Sequence, residues 1–236
     1  MPRRPRVSPG GLAYHVMNRA PGRVTLFRGA GDYAAFERVL AEALERFAVR
    51  LCAYCLMPNH WHLVLWPRRD GELSRFMQWL TMTHTQRLHA ARRTSGRGHV
   101  YQGRFKSFPA QRDEHYLSLC RYVERNALRA GLARRAQDWR WCSLWRREFP
   151  ARAPDDGLVL GEWPVQRPAD WLAWVNRPET AEELEALRRS ARRGSPYGTQ
   201  RWARATARRL GIESSLRRPG RPSKDEKEGR GGENGS

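Results

Sequence analysis

The chain has 236 residues and carries 44 Lys and Arg against 24 Asp and Glu, a formal net charge of +20, with a sequence pI of about 11.2. Such a surface attracts polyanions, and all its basic residues except Lys106, Lys224 and Lys227 are arginine, the side chain that forks onto phosphates and stacks on bases. No signal peptide and no membrane-length apolar run is visible, so no membrane partner and a reducing cytoplasm are expected, and the length allows one substantial domain plus a smaller appendage.

The first element expected is a strand over residues 12–19, followed by a helix over 33–48 capped by Asp32. Two apolar runs, 51–56 and 63–66, flank Met57-Pro58-Asn59, which reads as the turn of a hairpin closed by Pro67. The second strand of that hairpin opens with His60-Trp61-His62. Strand side chains alternate with a period of two, so His60 and His62 share a face and both imidazoles can reach one metal ion. Alone, the pair fits an ordinary half-buried strand equally well. A helix over 72–92 and a strand over 104–110 follow.

On a helical wheel the segment 116–130, with Asp113 as N-cap and Gly131 as the stop, separates into two faces. Tyr116, Leu119, Cys120, Val123, Ala127 and Ala130 form an apolar stripe, whereas Ser118, Tyr122, Arg125, Asn126 and Arg129 share a polar arc. A structural tyrosine belongs on the stripe, as Tyr116 is, so Tyr122 off it is the candidate nucleophile, with Asn126 beside it at i+4. A surface tyrosine bonded to a neighbour is the alternative. Together with the histidines, the set suits phosphodiester chemistry: a divalent ion held by His60, His62 and the Asn126 side-chain oxygen polarises the ester, and the Tyr122 phenolate attacks phosphorus to give a covalent phosphotyrosine and a free 3′-hydroxyl. Two imidazoles and an amide oxygen make a weak, mixed site, suited to exchangeable Mg²⁺ or Mn²⁺.

The residues 138–149 are rich in tryptophan, and 150–154 mark a boundary. Thr180 and Glu183 form a capping box for a helix ending near Gly194, and a second helix is expected over 200–210 before Gly211. Between Arg188 and Arg221 the only acidic residue is Glu213. The pair reads either as a small DNA-binding module or as helices packed on the main domain. Arg218-Pro219-Gly220-Arg221-Pro222 resembles the core of a minor-groove hook, and residues 223–236 have the composition of a disordered tail. The expected division is thus 1–150, 151–222 and 223–236. Cys52-Ala53-Tyr54-Cys55 could be drawn with His60 and His62 as a zinc site. The stretch is apolar and strand-like, however, and residues three apart on a regular strand face opposite ways, while Cys120 and Cys142 read as core.

At Tyr14-His15-Val16-Met17-Asn18-Arg19, Leu26-Phe27-Arg28, Asp32-Tyr33, Ala53 through His60, Gln102-Gly103-Arg104-Phe105-Lys106, and Arg121-Tyr122 through Asn126 to Gly131, the chain resembles the REP-associated tyrosine transposases, in the single-tyrosine branch of the HUH nucleases. The resemblance covers most of the chain; Ala127 departs from it, where the family often carries proline. The β-α-β-β-α-β-α order of the expected elements is that of an α+β, ferredoxin-like antiparallel sheet with helices on one or both faces, followed by a small basic helical C-terminal region, and the resemblance implies the same fold. It also implies histidines on a central strand and a tyrosine helix packed across the sheet. By the same resemblance His60 and His62 are the metal pair, Asn126 matches the third ligand, and Tyr122 is the nucleophile. Expected DNA contacts are His15, Arg19, Arg104, Lys106, Arg125, Arg129, Arg218 and Arg221. The implied activity is nicking and rejoining of single-stranded or hairpin DNA of repetitive extragenic palindrome type, by a monomer or homodimer at the nucleoid. A non-catalytic DNA-binding regulator and a zinc-stabilised adaptor are the competing readings.

Overall fold

The computed structural model describes residues 7–96 and 98–217. Four strands, β1 (Ala13–Arg19), β2 (Val49–Met57), β3 (His60–Pro67) and β4 (Lys106–Ala110), form one sheet in the order β2-β3-β1-β4. All three pairings are antiparallel. Helices α1 (Ala30–Arg46) and α2 (Glu72–Arg92) supply the two crossovers, giving the expected ferredoxin-like order of elements. Asp32 is not the cap of α1: the helix starts three residues earlier than expected, with Gly29 as N-cap, and the Asp32 carboxylate accepts from the Arg28 amide and the Arg92 guanidinium.

Strand alternation sends side chains to two separate cores. Tyr14, Val16, Trp61, Leu63 and Leu65 join Phe36, Leu40, Phe76 and Leu80 under α1 and α2. On the other face Ala13, Val64 and Phe108 join Tyr116, Leu119, Cys120 and Val123 of α3 (Glu114–Glu124). Helices therefore cover both faces of the sheet. In β2 a bulge between Leu51 and Ala53 interrupts the alternation, so Cys52 and Cys55, three apart, both lie in the α3-side core. The expectation that they face opposite ways is corrected by this extra residue. Both are buried thiols, as are Cys120 and Cys142.

The C-terminal third closes the sheet's open edges. Along β2, the Leu56 amide donates to the Trp141 carbonyl, the Gly161 amide to the Leu51 carbonyl, and the Trp163 indole to the Cys52 carbonyl. Along β4, the Tyr197 amide donates to the Pro109 carbonyl and the Gln111 amide to the Tyr197 carbonyl. Covered edges cannot template pairing with another chain. Trp171, Val175, Leu187 and Tyr197 belong to the same core as α3, so the C-terminal helices α5 (Ser143–Glu148), α6 (Trp171–Asn176) and α7 (Ala181–Arg193) pack on the sheet domain. Helix α7 carries the capping box of Thr180 and Glu183, and α8 (Gln200–Leu210) ends at Gly211 as expected. Among the described residues no helix is long and apolar enough to cross a membrane. Arg218, Arg221, the hook-like 218–222 and the tail 223–236 lie outside the described residues.

Candidate active site

The hairpin turn that precedes the histidines is fixed from outside. The Pro58 carbonyl accepts from the amides of Leu26 and Phe27, and the Asn59 carbonyl from Ala20. Asn59 then holds His60: its Oδ1 lies 2.6 Å from His60 Nδ1. An amide oxygen only accepts, so His60 carries its proton on Nδ1 and keeps the Nε2 lone pair.

His62, two residues on, is held from the neighbouring strand. β1 pairs with β3 so that Met17 stands opposite His62 and His15 opposite Val64, which brings His15 Nε2 to 2.9 Å from His62 Nδ1. The two rings stack, with centroids 5.1 Å apart, and Phe108 of β4 packs on the far side of His15 at 4.9 Å. Either ring can carry the proton of this bond; when it sits on His62 Nδ1, His15 accepts and His62 offers Nε2 as a lone pair. The His60 and His62 rings are edge to face at 4.9 Å. Burial pulls the His60 imidazole down to about 4, helped by the cations Arg19 and Arg129. Burial, then His60, His15 and Arg129, push His62 well below the usual histidine range. Both rings are neutral at pH 7, the form that binds metal.

His15 is 1 % exposed and pulled down to about 3, chiefly by burial. It is an interior ring beneath His62, which corrects the expectation that it touches DNA. Its contact with His62 fixes the orientation of that ring.

Tyr122 reaches the histidines from α3. Asp113 caps that helix as expected, its side chain accepting from the His115 amide. The helix then steps at Arg125 (φ −84, ψ −4), and a short α4 (Asn126–Arg129) continues to Gly131, whose φ of +71 is the left-handed stop. The ring of Tyr122 stands perpendicular to His62 with centroids 6.0 Å apart, and 6.1 Å from His15. Tyr122 is 8 % exposed and Ala130, placed on the apolar stripe by the wheel, is exposed. The polar arc is thus not a solvent face. It is covered by residues 174–183: Arg121 donates to the carbonyls of Trp174, Arg177 and Pro178, and Arg125 and Arg129 pair with Glu179. Arg125 and Arg129, expected on DNA, are committed to this carboxylate. Arg129 also stacks 4.2 Å over the Tyr122 ring.

Asn126 is 7 % exposed, and its Nδ2 is buried without a hydrogen-bond partner. Amide oxygen and nitrogen are interchangeable by a flip of the side chain, so one polar atom of Asn126 is unspent, one turn beyond Tyr122. Two neutral imidazoles with free Nε2 atoms and an unsatisfied amide fit a divalent ion as a donor set. A second group, Asp113, Glu114 and His115, has its ligand atoms within 4.8 Å of one another; it is the helix cap itself, with His115 Nδ1 bonded to Asp113 at 2.9 Å.

Of the remaining expected contacts, Lys106 pairs with Met17 across β4 and β1, in line with His62 on the same face, and is exposed. Arg19 stands opposite His60 and donates to Gln102 Oε1 at 2.6 Å. Arg104 is exposed and borders an 820 Å³ cleft between β4 and the end of α8. The roles of Asn59 and Glu179 were not singled out from sequence. Asn59 had a signal, its place immediately before the histidine pair; Glu179 had none beyond preceding a capping box.

Residues 10–126, just under half of the chain, match the model of the family described as "Transposase IS200 like". A solved structure, a REP-associated tyrosine transposase bound to a REP hairpin, is similar with a TM-score of 0.52 at 15 % identity, over 69 % of this chain and 92 % of that one. It shares the α+β fold. A proposed transposase from Deinococcus radiodurans R1 is 18 % identical over 53 % of this chain and 96 % of its own, with a TM-score of 0.36. No curated protein matches the sequence.

Proposed function

We propose that the chain cleaves and rejoins single-stranded DNA, presented as a hairpin, through a covalent 5′-phosphotyrosine at Tyr122. The observation that carries this reading is the meeting of Tyr122 with His62 at 6.0 Å, two residues sixty positions apart on different elements, beside a histidine pair whose Nδ1 atoms are both committed and whose Nε2 atoms are not. A stabilising core contact needs neither the neutral imidazoles nor the unspent Asn126 amide.

His60, His62 and Asn126 would hold the ion, Mg²⁺ or Mn²⁺. When bound, it supplies Lewis-acid polarisation of a phosphodiester oxygen. Tyr122 Oη forms a bond to phosphorus as the bond from phosphorus to the 3′-oxygen breaks. The phenol loses its proton and the 3′-oxygen gains one, so the step is proton-neutral overall, and the ester energy is kept in the phosphotyrosine for the reverse attack. Asn59 and His15 keep the two imidazoles in the ligating tautomer. Exposed Arg19, Arg104 and Lys106 are the proposed phosphate contacts, with Arg218 and Arg221 of the C-terminal segment as further ones. The similar solved structure is of a transposase bound to a REP hairpin, which supports that form of substrate here; one or two copies of the chain can be accommodated by this reading.

The test is incubation with hairpin oligonucleotides and Mn²⁺, followed by denaturing gel and peptide mass spectrometry. An adduct on Tyr122 that chelator abolishes and Tyr122→Phe lacks, with hairpin binding retained in the variant, is expected. Binding with no adduct under any metal would replace the enzyme by a non-catalytic DNA-binding regulator.

A further inference from the structure

Three arginines spaced four apart on the tyrosine helix, Arg121, Arg125 and Arg129, all grip one stretch of the C-terminal third, residues 174–183. Arg125 and Arg129 share one carboxylate, that of Glu179. The Glu179 side chain is only 2 % exposed, and it spends both carboxylate oxygens there: Oε1 accepts from Arg129 at 2.6 Å and Oε2 from Arg125 at 3.1 Å. Arg129, so anchored, lays its guanidinium 4.2 Å over the Tyr122 ring and turns Nη2 toward the Tyr122 carbonyl at 3.4 Å. That carbonyl lies where the helix steps at Arg125.

We propose that Glu179 is a positioning residue for the nucleophile: it holds Arg129 as a planar lid on the Tyr122 ring and so fixes the direction of the phenol toward the histidine pair. The proposal rests on the reading of Tyr122 as nucleophile. A tyrosine ring has two torsions to lose, and it is held here from one face by a stacked cation and at its edge by His62 and His15. Arginine suits the task because its planar fork can stack and bond in two directions at once, whereas a lysine ammonium cannot. A carboxylate is needed behind it because an unpaired guanidinium at this depth would turn outward to water. The C-terminal third thereby contributes to the site without contacting the reacting atoms.

Two measurements separate this inference from the proposed reaction. The first needs no DNA or metal: the rate at which tetranitromethane nitrates Tyr122, read by peptide mass spectrometry, reports how well the ring is covered. Glu179→Gln is expected to raise that rate several-fold while nitration of Tyr33 is unchanged. The second is the single-turnover rate of adduct formation on a saturating hairpin with Mn²⁺, expected to fall between about tenfold and a hundredfold, as displaced reacting groups do, with hairpin Kd within about twofold. Glu179→Asp should recover part of both. If Glu179→Gln does not fold, Arg129→Lys, which keeps the charge and loses the stacking plane, is expected to give the same pair of changes. Unchanged nitration, or an unchanged adduct rate in a wild-type protein that forms adduct, overturns the proposal. So does a large loss of hairpin affinity in Arg129→Lys with nitration unaltered, which would make Arg129 a DNA contact. A wild-type protein that forms no adduct at all overturns the reaction and leaves the nitration result to judge the clasp.

Discussion

His15 shows how one side chain changes meaning once its strand neighbours are known. In sequence it is a histidine in a basic motif, one residue after Tyr14, and a substrate contact is a natural reading. The register of β1 against β3 puts it diagonally beneath His62 instead, with Nε2 2.9 Å from His62 Nδ1, where accepting the proton would leave His62 Nε2 free for a metal. Orienting partners of metal-bound histidines are worth about 10–100-fold in metal affinity. His15→Phe, which keeps the ring packed on Phe108, is therefore expected to weaken Mn²⁺ binding by about that factor, measured by titration calorimetry. Asn59→Ala should act in the same direction through His60. Unchanged Mn²⁺ affinity in both variants would remove the two residues from the site's support.

Between elements, hydrogen bonds of buried ionic groups tie the helical layers to the sheet. Arg146 of α5 donates Nε to the Tyr54 hydroxyl of β2 and Nη2 to Glu37 of α1, and it also pairs with Asp156. Arg146 and Glu37 side chains are 6 % and 1 % exposed, and burial raises the Glu37 carboxyl above its ordinary value despite the arginine. Removing one partner of such a set leaves buried charge uncompensated, at a cost of about 3–5 kcal/mol; Arg146→Ala is expected to lower the urea midpoint accordingly, and a loss below about 1 kcal/mol would show that water replaces the guanidinium. This network joins residues over a hundred positions apart, and nothing in the local pattern announces it. The elements themselves were legible, because period-two and period-3.6 patterns are local: the hairpin, α2, the capping box of α7 and the Gly131 stop all stand where the pattern puts them. The wheel failed at Tyr122 and Ala130 for a physical reason. It sorts residues by polarity, and Arg121, Arg125 and Arg129 are polar yet face protein, since residues 174–183 offer them carbonyls and carboxylates instead of water. The bulge in β2 escaped for the same reason, as one extra residue leaves no mark in composition.

Across the whole molecule, the interior holds histidines from two separate cores in neutral form. His15 and His60 lie in the candidate site, while His84 of α2 lies on the opposite face of the sheet, its Nδ1 2.7 Å from the Tyr101 hydroxyl, and burial pulls it down to about 4. A histidine in the unfolded chain takes up its proton near pH 6.5. Between that value and about 4 the unfolded state binds more protons than the folded one at His84, and likewise at His60. Stability from these groups is therefore complete above pH 6.5 and is lost as pH falls through the window, at up to about 1.4 kcal/mol per pH unit for each histidine. Glu37 and Glu124 oppose this trend, because burial raises their carboxyls, so that the folded state holds their protons more tightly just above the ordinary carboxylate range. The histidines outnumber them, and the metal-free protein is expected to lose urea resistance steadily from pH 6.5 to 5. His84→Gln isolates one contribution, since His84 lies outside the candidate site: its slope of unfolding free energy against pH should be shallower than that of the wild type by about one proton. A slope identical to wild type would mean that His84 protonates in the folded state without penalty, and that the core around Phe27, Phe36 and Tyr101 admits water.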